Sequence, residues 1–214
     1  MADWVTISSL ATAGGTLVLA AATFSAVRSS NRSARVAERT LLAGLRPVLV
    51  PSRLGDPEEK VLFQDLRWFR LAGGRAVAEH TDGIVFLIIG VRNVGTGLAV
   101  LRGWRVERGL ILSTEADQHN PPDPETFRRQ ARDIYIPAGD AGFWQGAIRD
   151  SDDADHDTIA EAVANRESLT VSMLYGDGEG GQRVITRFAV IPAGESEWLT
   201  SASRHWNLDR DDPR

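Results

Sequence analysis

IVFLIIGVRN, Ile84–Asn93, is the most apolar run of the chain after residue 46. Odd and even positions are equally greasy and β-branched residues dominate, which reads as a central strand buried on both faces. Working outward, Gly95-Thr96-Gly97 marks a turn, and residues 98–110 (LAVLRGWRVERGL) alternate apolar with polar as a half-buried strand does. Upstream, residues 47–54 (PVLVPSRL) begin as a strand that Pro51 confines to an edge or a bulge, and residues 61–71 (VLFQDLRWFRL) form one irregular or two short strands. Downstream come short β-rich runs at 134–136, 142–148, 169–175 and 183–191, the last two joined by the hairpin loop Gly176-Asp177-Gly178-Glu179-Gly180-Gly181. Many short strands with turns at regular intervals predict a mainly β fold, an immunoglobulin-like antiparallel β-sandwich. Residues 152–165 (DDADHDTIAEAVAN) interrupt it as a short helical insertion. Acids fill its first turn, where the helix dipole favours them, and Ile159, Ala162 and Val163 share a face. Residues 113–133, with Pro121, Pro122 and Pro124, form the one long irregular loop.

Three turns carry a resemblance. Asn93-Val94-Gly95-Thr96-Gly97-Leu98-Ala99 resembles the strand-turn-strand of bacterial immunoglobulin-like modules of the CARDB type, Ile136-Pro137-Ala138-Gly139-Asp140 resembles their later proline-glycine-acid turn, and Tyr175-Gly176-Asp177 is similar to their closing hairpin. The likeness spans residues 84–191 and departs from the pattern at the insertion 152–165 and at Ala138. It implies a fold and carries no functional residue across. The whole chain also resembles uncharacterised membrane-anchored proteins of actinobacteria, which implies an address and no activity.

The address follows from the other end. Trp4 to Val27 are 24 residues without a charge. As a helix they extend roughly 36 Å, enough for a hydrocarbon layer of about 30 Å. Serine and threonine hydroxyls there can bond back to the preceding turn, and Trp4 stands where an indole favours the interface. A cleaved signal peptide wants a positive leading region, which Asp3 opposes, although Ala20-Ala21-Ala22 offers a small-residue cleavage site. Arg28, Arg32, Arg35, Arg39 and Arg46 follow against the single acid Glu38. One-sided arginines predict a cell-membrane, single-pass protein whose carboxyl-terminal bulk is cytoplasmic, with Trp4, Arg28, Arg32, Arg35 and Arg39 at the membrane surface. Ala34, Ala37, Leu41 and Leu45 recur at helical spacing, so the helix runs on to Gly44 and Pro47. Self-association through this helix is a second use of the stripe, with Ala11-xxx-Gly15 and Ala22-xxx-Ala26 as close-approach motifs.

The charge balance narrows the partners. Residues after Arg46 hold 19 basic against 27 acidic side chains, a net of −8, and such a surface is repelled by phosphate backbones. Nucleic-acid binding is not expected; a lipid bilayer and an unidentified protein partner are. Cysteine is absent, which removes disulfides, thiol catalysis and Cys-ligated metals, and lysine occurs once, at Lys60. Gly95-Thr96-Gly97 lacks the third glycine and following helix of a dinucleotide fingerprint, and no nucleophile elbow is present. Asp152, Asp153, Asp155, His156 and Asp157, and separately Asp117, His119 and Asp123, hold metal-ligand types, but helix-start electrostatics and loop polarity explain both groups. No catalytic, cofactor or metal residues are assigned.

The organisation expected is therefore a transmembrane helix over 1–27, an arginine-rich juxtamembrane helix over 28–46, a β-sandwich over 47–197 and a tail over 198–214. The function expected is non-catalytic: a membrane-anchored sandwich serving as a protein-interaction module. Trp68, Trp104, Trp144 and Trp206 are its candidate partner-binding anchors, since aromatics dominate interface energetics. Two alternatives stay open, an exported envelope protein whose sandwich binds carbohydrate or peptide, and a metal-dependent hydrolase.

Overall fold

The structure, a computed structural model, describes residues 4–111 and 120–209, without the side chains of residues 4–11, 39 and 43. The chain divides into two compact units, Met1–Gly44 and Leu45–Arg214.

The first unit is one helix, α1 (Trp4–Gly44), uninterrupted for 41 residues. It matches the continuous helix expected. The span expected over 1–27 meets a correction: among the described residues no helix is long and apolar enough to cross a membrane. The reason lies in composition, because Ala, Gly, Ser and Thr dilute the Leu, Val and Phe residues between positions 12 and 27.

The second unit is mainly β. Twelve strands occur among the described residues: β1 (Leu49–Pro51), β2 (Glu59–Leu62), β3 (Trp68–Leu71), β4 (Arg75–Thr81), β5 (Ile84–Asn93), β6 (Ala99–Arg108), β7 (Arg128–Arg129), β8 (Tyr135–Ile136), β9 (Ala141–Ile148), β10 (Leu169–Gly176), β11 (Val184–Ala193) and β12 (Glu197–Asn207). One short helix, α2 (His156–Ala164), falls where the insertion was expected. Ten strands share one antiparallel sheet in the order β1-β5-β4-β12-β11-β10-β6-β7, with β8 also on β6 and β9 on β5. β2 and β3 form a separate hairpin.

β5 is buried on both faces, as its sequence demands. Val85, Leu87, Ile89 and Val91 join the main apolar cluster, with Leu169, Val171, Met173 and Tyr175 of β10 and with Ile159 and Ala162 of α2. Phe86 and Ile88 point the other way, into a second cluster made with Val61, Phe63, Phe69 and Leu71 of the hairpin. The three phenylalanine rings Phe63, Phe69 and Phe86 stack mutually at 4.9 to 5.4 Å. The hairpin thus supplies the second cover that an all-apolar strand needs.

Three strands were not expected: β7 lies within residues 113–133, expected as one irregular loop, where Arg128 and Arg129 pair with Trp104 and Gly103 of β6, and β4 and β12 are the other two. β4 pairs with β5 over six residues, and β12 pairs with β11 along its length. They meet each other at Trp198–Ala76 and Leu199–Arg75. The tail expected from residue 198 is therefore a strand. Its alternation is weak because Thr200, Ala202 and Arg204 lie between the two tryptophans, and its register shifts opposite Arg187 and Phe188.

Two of the three turns of the resemblance share one node, Asn93. The Asn93 side chain is fully buried and spends all four of its bonds: Oδ1 accepts from the N–H groups of Val48 (3.1 Å) and Gly95 (3.0 Å), and Nδ2 donates to the carbonyls of Gly97 (2.7 Å) and Ile136 (3.0 Å). Gly139, at φ 83°, donates its N–H to the Asn93 carbonyl. Tyr175 Oη accepts from the Leu49 N–H at 2.9 Å, and Asp177 Oδ1 accepts from the N–H groups of Glu179 and Gly181. These residues hold turns.

Candidate functional site

Three surfaces hold the residues that the sequence marks out. The first is α1. Leu17, Val18, Leu19, Phe24 and Val27 are all largely exposed. At about 100° per residue they point in every direction around the axis, so the helix is apolar on all sides over this stretch. The hydroxyls among them are bonded internally: Thr16 Oγ1 donates to the Thr12 carbonyl (2.8 Å), Thr23 Oγ1 to that of Leu19 (2.8 Å) and Ser25 Oγ to that of Ala22 (2.9 Å). Beyond Val27 the character changes. Arg28, Arg32 and Arg35 are exposed and fall within about 60° of one another, while Ala34, Ala37 and Leu41 lie on the opposite side. The side chains of Trp4 and Arg39, also expected at a membrane surface, lie outside the described residues.

The second surface concerns the four indoles. Trp104, Trp144 and Trp206 are buried. Trp104 and Trp144 pack edge to face at 5.4 Å in the main cluster, and Trp206 packs with Phe127 and Ile185. As partner-binding anchors they are corrected to core residues, for the ordinary reason that an indole on a strand buries the most apolar area available. Trp68 alone stands out, 63% exposed on the outer face of the hairpin, beside exposed Lys60 and Arg70 and close to the loop residue Leu66. Alternation along β3 decides this: Phe69 and Leu71 point inward, so Trp68 and Arg70 point out.

The third surface is a cleft of about 140 Å³ walled by Trp104, Arg128, Arg129, Gln130, Arg132, Gln145 and Arg149. Reasoning from the sequence left these residues unmarked, except for Trp104. Each wall is fixed. The Arg128 guanidinium lies 5.3 Å from the centre of the Trp104 ring and donates to Asp153 and to Asp155 (2.7 Å). Those hydrogen bonds hold the Asp153 carboxyl below the ordinary carboxylate range. Arg149 grips Asp65 through both Nε and Nη2 (3.1 and 2.8 Å), again lowering the carboxyl. Gln130 Nε2 donates to the Gln145 carbonyl (2.9 Å) and its Oε1 accepts from Trp144 Nε1 (3.2 Å). Gly146 allows the two indoles this close, since a Cβ there would lie 2.7 Å from the Trp144 ring. The only signal in the sequence was the Arg128-Arg129-x-x-Arg132 spacing, which a polar loop shows anyway.

Three of the acids considered as metal ligands have other partners in the structure. Asp153 and Asp155 serve Arg128, Asp123 Oδ1 accepts from the Glu125 N–H, and Asp117 and His119 lie outside the described residues. Among the described residues no three His, Asp or Glu side chains converge to hold a metal ion. The chain matches no family model, no curated protein and no solved structure.

Proposed function

We propose that this is a membrane-anchored protein in which α1 holds an immunoglobulin-like β-sandwich at the cytoplasmic face as a non-catalytic interaction module. One observation carries the reading: α1 is apolar in every direction around Leu17 to Val27, with its hydroxyls internally bonded, and then turns abruptly basic. A stripe would suit a single protein partner; an all-round apolar surface of this modest hydropathy suits association with a lipid surface rather than a full crossing. The arginine face of Arg28, Arg32 and Arg35 suits anionic headgroups, each residue contributing on the order of 1 kcal/mol. Retention of such arginines in the cytoplasm sets the orientation.

Support for the sandwich is the membership of the main cluster. The Trp104 ring of β6 meets the Trp144 ring of β9, the strand paired with β5, at 5.4 Å although β6 and β5 lie toward opposite ends of the sheet order, as in a sheet folded over on itself. Trp68, as the exposed indole, is the anchor offered to a protein partner.

The test is fractionation of cells expressing the full chain. The protein is expected to sediment with membranes, and a variant lacking residues 1–27 to stay dispersed. A full-length chain found dispersed without detergent overturns the reading. A reporter fused after Arg214 is expected to be active in the cytoplasm only.

A further inference from the structure

We propose that the cleft between β9 and the segment 128–132 is a binding site for a small hydroxyl-bearing oxyanion, a three- or four-carbon hydroxy acid or hydroxyalkyl phosphate. The site lies wholly within the second unit and is independent of where α1 resides.

Charge is the first ground. The second unit is acidic overall, with a net of −7. The cleft reverses that locally: four arginines wall it and no carboxylate does. Arg128 and Arg149 are neutralised from behind by Asp153, Asp155 and Asp65. Arg129 and Arg132 are exposed and make no ion pair among the described residues. Two anchored forks beside two unpaired ones form the planar, multidentate donor set that carboxylates and phosphates prefer.

Gln145 is the second ground, and it is independent of the first. Its side chain is buried, 7% exposed, and lines the cleft, while its Oε1 has no hydrogen-bond partner. Neighbouring groups do not need it, because Gln130 and Trp144 satisfy each other and the Gln145 carbonyl. An unmet buried acceptor at the wall of a cationic cleft calls for a donor, and a carboxylate or a doubly ionised phosphate ester has none. A hydroxyl next to the acid group supplies it.

Size is the third. About 140 Å³ is well under the roughly 300–1,000 Å³ of sites that take coenzymes or drug-sized ligands, yet has room for a short-chain acid. Trp104 and Gly146 make the floor flat and rigid.

Titration calorimetry of the full chain in detergent, at constant ionic strength, tests the assignment. The probes are malate against succinate and glycerol 3-phosphate against propyl phosphate, each pair differing only in carbon-bound hydroxyl groups. The hydroxylated member is expected to bind about tenfold tighter, the worth of one such hydrogen bond. Whichever pair shows the tighter member tells carboxylate from phosphate. The exposed double variant Arg129→Gln/Arg132→Gln is expected to weaken binding at least tenfold with an unchanged melting temperature. Gln145→Met, close in shape, is expected to abolish the preference within a pair while leaving weak anion binding. Absence of heat with all four probes overturns the proposal, as does binding that the double variant leaves intact.

Discussion

Asn93 illustrates how a side chain that looks like turn grammar becomes a structural fastener. Its amide donates twice and accepts twice, joining the chain at Val48, its own turn and the carbonyl of Ile136. Asn93→Asp keeps the shape but loses both donors, leaving two buried carbonyls facing a carboxylate. Unfolding in denaturant should show a loss of about 3 kcal/mol, from penalties of roughly 1–3 kcal/mol for each unpaired buried group. His156 is the other residue with a measurable consequence. Its Nδ1 faces Asp157 Oδ1 and its Nε2 faces the Gly83 carbonyl, each at 2.9 Å, and both partners only accept. The ring satisfies them together when it carries two protons, and the Asp157 hydrogen bond first, then that to Gly83, raises its pKa above the ordinary 6.5. Nearby stand the edge of the His80 ring, 5.9 Å away, and the carboxylate of Asp153. Stabilisation from this group is complete below about pH 6.5 and is lost as the pH rises through the higher folded-state value. Melting curves between pH 5.5 and 9 should therefore fall on the alkaline side, and His156→Gln should remove that part of the slope.

Elements differ in how openly the sequence announced them. β5 was legible because continuous burial writes an apolar run, and α2 because acids at its start and Ile159 and Val163 on one face write a helix. β4 and β12 were not. In β4 the inward positions are Ala76 and Ala78, too small to stand out, and in β12 small and polar residues separate Trp198 from Trp206. Both lie beside each other in the sheet, so one weakness of composition hid the connection between its two parts. The same limit applied to the indoles: sequence placed Trp68, Trp104 and Trp144 on strands and Trp206 in a tail, but burial depends on partners distant in the chain. The hairpin β2–β3 makes a further prediction. It covers one face of β5 through Phe69, so Phe69→Ala should cost roughly 3–5 kcal/mol in a denaturant titration, whereas Trp68→Ala on the outer face should cost little.

The whole molecule consists of a single helix and a β-rich unit with its own cores. Residues 45–214 produced alone should melt cooperatively and within a few degrees of the full chain, since none of the three buried clusters draws on α1. A large drop in melting temperature would show that α1 belongs to the folding unit. The presence of one lysine has a practical meaning at this scale. Lys60 lies exposed on the hairpin, one strand away from Trp68. An amine-reactive dye or crosslinker thus has a single side-chain target in the molecule, and that target adjoins the indole offered to a partner. Labelling at Lys60 turns the chain into its own proximity sensor: a footprint there would identify what settles against the hairpin without any engineered tag.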